Sequence, residues 1–386
     1  MSNTFLPFHQ PEIGPEEIRS VVETLESGWL TSGSKAKIFE EDFSRFIGCQ
    51  YSVAVNSCTA ALHLALEAVG IEEGDEVIVP TMTFTATAEV VVYFKAKPVL
   101  VDCRPNTLNI DPDLIERAIT TKTKAIIPVH FAGQSCDMDA ILRIARKHKL
   151  YVIEDAAHAL PAKYHGKTIG TIGDITCFSF YATKTITTGE GGMATTQNPD
   201  WAARMRMMSL HGISQDAWKR YTKEGSWYYE VVRPGFKYNL TDIGAAIGIE
   251  QLKKCDAFGV ARARIAATYD QEFSDLLEIE TPVCESDLQH AWHLYVIQLN
   301  LDQLKIDRHQ FIEALKEQGI GTSVHFIPLH LHRYYRESFG STPEEFPMAT
   351  EIYQRIVSLP IYPKMTESQI ARVVEAVRNT VQRYRR

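Results

Sequence analysis

The chain has 386 residues, 45% of them hydrophobic and 23% charged, with a net charge of −8. That is enough apolar chain for a large core and two domains, and the acidic balance excludes a general polyanion-binding surface, so no nucleic acid is expected as partner. The seven cysteines are odd in number and scattered without CxxC spacing, which suggests neither a zinc site nor a disulfide framework and suits reduced thiols in the cytoplasm.

The N-terminus, "MSNTFLPFHQPEIGPEE", lacks the basic-then-apolar order of a signal peptide. The most apolar stretch, "VIVPTMTFTATAEVVVYF", is interrupted by Pro80 and Glu89 and is rich in threonine, so no membrane span is expected. Short β-branched runs then alternate with helical patterns. Strands are predicted at 52–56, 76–80, 98–102, 124–130, 151–155 and 174–180, and "CTAALHLALEAVG" and "DMDAILRIARKHK" have helical apolar spacing. Near-continuous apolar strands separated by helices predict an α/β fold with a mostly parallel sheet covered on both faces. Ligands bind such sheets beyond the carboxyl ends of the strands.

From Thr241 to Leu277 the pattern is a long helix, with Gly259 a candidate break. Strand-like "HLYVIQL", helical "DRHQFIEALKEQG", strand-like "IGTSVHF" and a final helix from about Thr366 follow, predicting a smaller α+β domain. The expected division is a large domain over 1–250 and a small one over 251–386. The stretch 328–347, "PLHLHRYYRESFGSTPEEFP", reads as a long functional loop.

Two strand ends carry chemistry. Asp155 closes "YVIED"; alone, it reads as a helix cap. Lys184 lies in "FSFYATKTITTGEGG", where glycine follows the lysine instead of preceding it, which excludes a nucleoside-triphosphate loop. A solvated charge is the bland alternative for Lys184. Between a buried aromatic strand and a glycine turn, though, a desolvated lysine can form a Schiff base with an aldehyde. A lysine and an aspartate at neighbouring strand ends are the two groups that pyridoxal phosphate requires. In "NSCTAALHLAL", Ser57, Thr59 and Ala60 sit at a strand-to-helix turn that favours an anion, and Ser179 offers a hydroxyl from the next strand.

With "EDAAHA", "PTMTFTATAEVV" and "GFKYNLTDIGAAIGIEQL", these blocks resemble the signatures of the DegT-type sugar aminotransferases, over nearly the whole chain. The resemblance implies a fold type I pyridoxal-phosphate (PLP/PMP) enzyme acting on nucleotide-linked keto-sugars. It implies Lys184 as the cofactor lysine and proton carrier, Asp155 on the pyridine nitrogen and His158 on the ring's oxygen side. Phe84 would stack on the ring, and Thr59, Ala60 and Ser179 would hold the phosphate. Lys237 or Asn239 would reach the partner's phosphate in a homodimer with shared active sites. Thr31 in "SGWLTSG" and His325 in "TSVHFIPLH" would contact the sugar nucleotide.

Several blocks are most similar to members that make UDP-4-amino-4-deoxy-L-arabinose, except that Phe84 and Tyr181 stand where those have Trp and His. The implied reaction is transamination of a UDP-linked 4-keto-sugar with L-glutamate, which leaves as 2-oxoglutarate. No metal is expected. The alternatives are a C3 aminotransferase on a dTDP-keto-sugar, a non-catalytic sugar-nucleotide binder whose site would have decayed, and a dehydratase with histidine at position 184.

Overall fold

A computed structural model describes residues 5–213 and 228–386. Its centre is a sheet of seven strands: β1 (Tyr51–Val55), β2 (Glu76–Pro80), β3 (Lys97–Val101), β4 (Thr123–Ile126), β5 (Tyr151–Asp155), β6 (Ile175–Ser179) and β7 (Gly192–Thr196). Their spatial order is β1-β7-β6-β5-β4-β2-β3. All pairs from β6 through to β3 are parallel, while β7 runs antiparallel to both β1 and β6.

Alternation along the strands divides the apolar side chains between two cores. Ile78, Ile126 and Val152 face one, and Val77, Val79, Ala125 and Ile153 face the other. Both faces are therefore covered, as the apolar runs predict. Burial of each of these Val or Ile side chains stabilises by about 1.5–3 kcal/mol. The helix Cys58–Val69 starts where Ser57 Oγ accepts the Ala60 N–H and stops at Gly70 in the left-handed region.

A second core surrounds a three-stranded antiparallel sheet in which Tyr295–Leu299 pairs with Ile279–Glu280 and Ile356–Leu359. Helices Arg308–Glu317 and Glu367–Tyr384 contribute Phe311, Leu315, Val373 and Val377 to it. Thr366 caps the last helix. The N-terminal segment joins this core through Leu6, whose backbone pairs with Gly319 and Gly321.

Four expectations differ from the structure. Gly259 does not break the long helix, which runs unbroken over Asp242–Phe273; its Ala245–Phe258 part packs into the first core and Ile265–Phe273 into the second. A boundary at 250/251 falls inside this helix. The stretch 320–326 is not a strand: Ile320 and Ser323 make isolated bridges to Leu6 and Ser358. The stretch 328–347 is largely helical, with Arg333–Phe339 and short turns of 3-10 helix, and buried His330 is held between Thr81 and Thr350. Finally, β4 ends at Ile126, because Pro128 has no N–H with which to continue the ladder. Among the described residues no helix is long and apolar enough to cross a membrane.

Candidate active site

The strands β5 and β6 deliver Asp155 and Ser179 to one edge of the sheet, and the turn after β1 brings Ser57 to the same place. A cavity of about 630 Å³ opens there, walled by these residues and by His293, His325 and Phe326 from the C-terminal part.

Asp155 is buried. Its Oδ2 accepts from Thr87 Oγ1 at 2.8 Å and its Oδ1 from the Ala157 N–H at 3.1 Å. Its backbone is pinned on both sides, donating to Pro128 O and accepting from the His130 N–H. Burial raises its pKa, against the Thr87 and Ala157 hydrogen bonds and the charge of Lys184. Such a carboxylate gains most from a cation brought by a ligand.

Lys184 lies on the connection between β6 and β7, whose ends are register partners, Ser179 opposite Gly192. The connection is internally bonded: Lys184 N–H donates to Tyr181 O, and Thr188 N–H and Thr187 Oγ1 both donate to Phe180 O. Burial lowers the Lys184 pKa from 10.5 to about 8, against the opposing pull of Cys58 and Asp155. The reactive amine is the neutral form, which is lost as pH falls through the folded pKa. Uptake of pyridoxal phosphate by cofactor-free protein is therefore expected to accelerate with pH around a midpoint near 8. Stopped-flow absorbance checks this; a midpoint near 10 would remove the desolvation argument.

Gly192 couples the lysine loop to the anion turn. A Cβ there would lie 2.5 Å from the Ser57 carbonyl carbon and oxygen and 2.7 Å from Cys58 N, so backbone meets backbone. The first-turn N–H groups of Cys58 and Thr59 have no intrahelical acceptor, and together with the helix dipole they suit a phosphate.

Four histidines line the cavity: His9, His158, His293 and His325. Burial lowers all four pKa values, to about 3 for His9 and about 4 for His325, so the rings are neutral at pH 7. His158 lies parallel to Phe326 at 5.8 Å and close to His293 at 4.4 Å, and its Nδ1 is buried without a partner. His325 Nδ1 pairs with Ser358 Oγ at 2.8 Å. Phe84, 59% exposed, and Tyr181 stand at the mouth.

Lys184, Asp155, His158 and Phe84 thus share one cavity with Thr59, Ser179, Tyr181 and His325. Ala60 lies behind the turn, with its N–H bonded to Ser57 Oγ at 3.1 Å. Thr31, Lys237 and Asn239 lie outside the cavity of their own chain. Asn239 Nδ2 donates to Ser32 Oγ at 2.7 Å, and Asp242 Oδ1 accepts from the Gly33 and Ala36 N–H groups, so the 27–33 loop and the 237–242 segment form one unit. Sequence reasoning missed Phe8, His9, Cys58, His293 and Phe326. The last two adjoin or lie within apolar runs, and no local pattern sets them apart from core residues. Among the described residues no group of three His, Cys, Asp or Glu could hold a metal.

The residues present fit pyridoxal phosphate: a buried carboxylate in need of a cation, a lysine that is partly neutral, and a helix N-terminus in one cavity. With the mixed seven-stranded sheet they define a fold type I pyridoxal-phosphate enzyme. The chain belongs to the DegT/DnrJ/EryC1/StrS aminotransferase family, whose sequence pattern matches residues 11–378. It is 56% identical over 378 residues to the uncharacterized protein MJ1066 of Methanocaldococcus jannaschii, covering 98% of each chain. It is 52% identical over 380 residues to the spore coat polysaccharide biosynthesis protein SpsC of Bacillus subtilis, again covering 98% of each. Among solved structures, the putative sugar aminotransferase Spr1654 from Streptococcus pneumoniae in its PMP form is 35% identical, with a TM-score of 0.92 over 98% of this chain and 99% of that one. The protein is a pyridoxal-phosphate-dependent sugar aminotransferase.

Proposed function

We propose that the protein transfers the amino group of L-glutamate to the ketone of a nucleotide-linked 4-keto-sugar, with UDP as the nucleotide, for a cell-surface polysaccharide. The observation that carries the reading is the cavity in which Lys184 and Asp155 meet the anion turn. Support for the pathway comes from similarity to SpsC, and to Helicobacter pylori PseC, an aminotransferase involved in pseudoaminic acid biosynthesis (28% identical, TM-score 0.91, covering 98% of this chain and 100% of that one).

When bound, pyridoxal phosphate supplies an aldehyde to carry the amino group and a ring that accepts the electrons of a carbanion. In this reading Asp155 holds the ring nitrogen protonated, and His158 offers a neutral imidazole to the ring's oxygen. Thr59 and Ser179 hold the phosphate, joined by Ala60 if its N–H leaves Ser57. Lys184 Nζ, as a neutral amine, takes the proton from the donor's α-carbon and returns one to the sugar carbon. Phe84 covers the ring, and Tyr181 and His325 face the sugar nucleotide.

The unit formed by Thr31, Lys237 and Asn239 lies outside its own cavity, which supports a homodimer in which it completes the partner's site. A monomer in sedimentation at working concentration would remove that part of the reading. The test of the whole is a panel of UDP- and dTDP-linked keto-sugars offered with glutamate and followed by mass spectrometry. Gain of one amine by a UDP-4-keto-sugar is expected. Amination of a dTDP-3-keto-sugar alone, or of nothing, overturns the assignment.

A further inference from the structure

Behind one wall of the cavity the structure collects polar atoms without partners. Arg262, on the long helix, is fully buried; its Nη1 donates to the carbonyls of Trp292, His293 and Ile361, while its Nε and Nη2 have no acceptor. No carboxylate pairs with it among the ion pairs of the described residues. His293, only 6% exposed, lines the cavity with its Nδ1 buried and unpartnered. His9 lines it too, with Nε2 in the same condition, and its ring meets Tyr362 edge-on at 5.9 Å. The Tyr362 hydroxyl is also without a partner.

Buried polar groups in folded proteins are satisfied almost without exception, and a buried cation requires a counter-charge. A concentration of orphans around one uncompensated guanidinium therefore marks a place for an anion. Lys184 is the sole cationic side chain among the described residues lining the cavity, and the cofactor takes it. An amino donor must bring its α-carboxylate beside the carbon that Lys184 deprotonates. His9 and His293 connect that space to Arg262. Burial holds both rings neutral, with one N–H each: that of His293 is free for the site, and that of His9, bonded to the Ala182 backbone, must leave that partner to serve it.

We propose that His293 and His9, backed by Arg262, form the subsite for a carboxylate of the amino donor. This rests on the aminotransferase reading above and adds to it the residues that recognise the donor. Hydrogen bonds to a charged group are the stronger kind, and loss of one weakens binding by about tenfold or more.

The test titrates the holoenzyme with glutarate, a dicarboxylate that has no amino or keto group, by calorimetry. His293→Gln is expected to raise the glutarate Kd about tenfold or more and His9→Asn to raise it to a smaller extent. In both, the rise in KM for L-glutamate should exceed any change in KM for the keto-sugar. Melting curves identify a variant that fails to fold, and the other variant then decides. Unchanged glutarate binding in the folded variants overturns the proposal and leaves water as the occupant of the cluster. A parent enzyme that binds no glutarate overturns it as well. If the parent binds glutarate and accepts the amino group of glutamate but aminates no keto-sugar, the sugar assignment falls and the carboxylate subsite stands.

Discussion

Replacing Lys184 with alanine is expected to lower turnover by about 10⁴-fold or more, the upper range for removing a positioned proton carrier, and to abolish the visible absorption of the bound cofactor. The site offers no substitute. Asp155 accepts hydrogen bonds from Thr87 and Ala157, the four histidines are weak bases because burial pushes their pKa values down, and neither an imidazole nor the Glu190 carboxylate can form the Schiff base. Nor should the protein unfold, since removing a desolvated amine relieves a burial cost. Steady-state assays with a melting curve beside them check both halves. Full turnover in this variant ends the assignment of Lys184.

The second large effect falls on Asp155. Asp155→Asn keeps the shape and one acceptor, and Thr87 Oγ1, which also pairs with Thr83 Oγ1 at 2.8 Å, can reorient to the new amide. What disappears is the negative charge. A loss of about 10²- to 10³-fold in kcat is expected, the usual size for one preorganised electrostatic group. Stability should move the other way. A carboxyl whose folded pKa is raised binds its proton more tightly in the folded state, so at neutral pH it costs stability, and asparagine removes that cost. Cofactor-free Asp155→Asn should therefore melt at the same temperature as the parent or higher. A variant that keeps its activity and melts early would show that Asp155 is structural.

The apolar runs that predict the six strands have a physical cause: Val77, Ile78 and Val79 point in turn to two different cores, so every position of the strand is buried. Asp155 and Lys184 were legible because each closes or follows such a run. Strand β7 was not. It begins at Gly192 and carries little β-branched character before its two threonines, so "GEGGMATT" reads as a turn, and its pairing with β1 and β6 is long-range. "IGTSVHF" has the opposite history. It is strand-like in composition, but His325 and Phe326 are spent on the cavity wall and the segment keeps only single bridges. His9 and His293 are lone histidines 284 positions apart, and only the fold brings both into one wall.

The helix Asp242–Phe273 has a mechanical consequence. It is a beam built into two bodies, since its first half is part of one core and its second half part of the other. A hinge opening between them would have to break the hydrogen-bond ladder near Gly259, which stays helical beside Pro161, or strip apolar side chains from one core. Both cost more than moving loops. Traffic of a bulky sugar substrate should therefore depend on the compliance of the rim at Phe84 and Tyr181, with the two halves holding a constant distance.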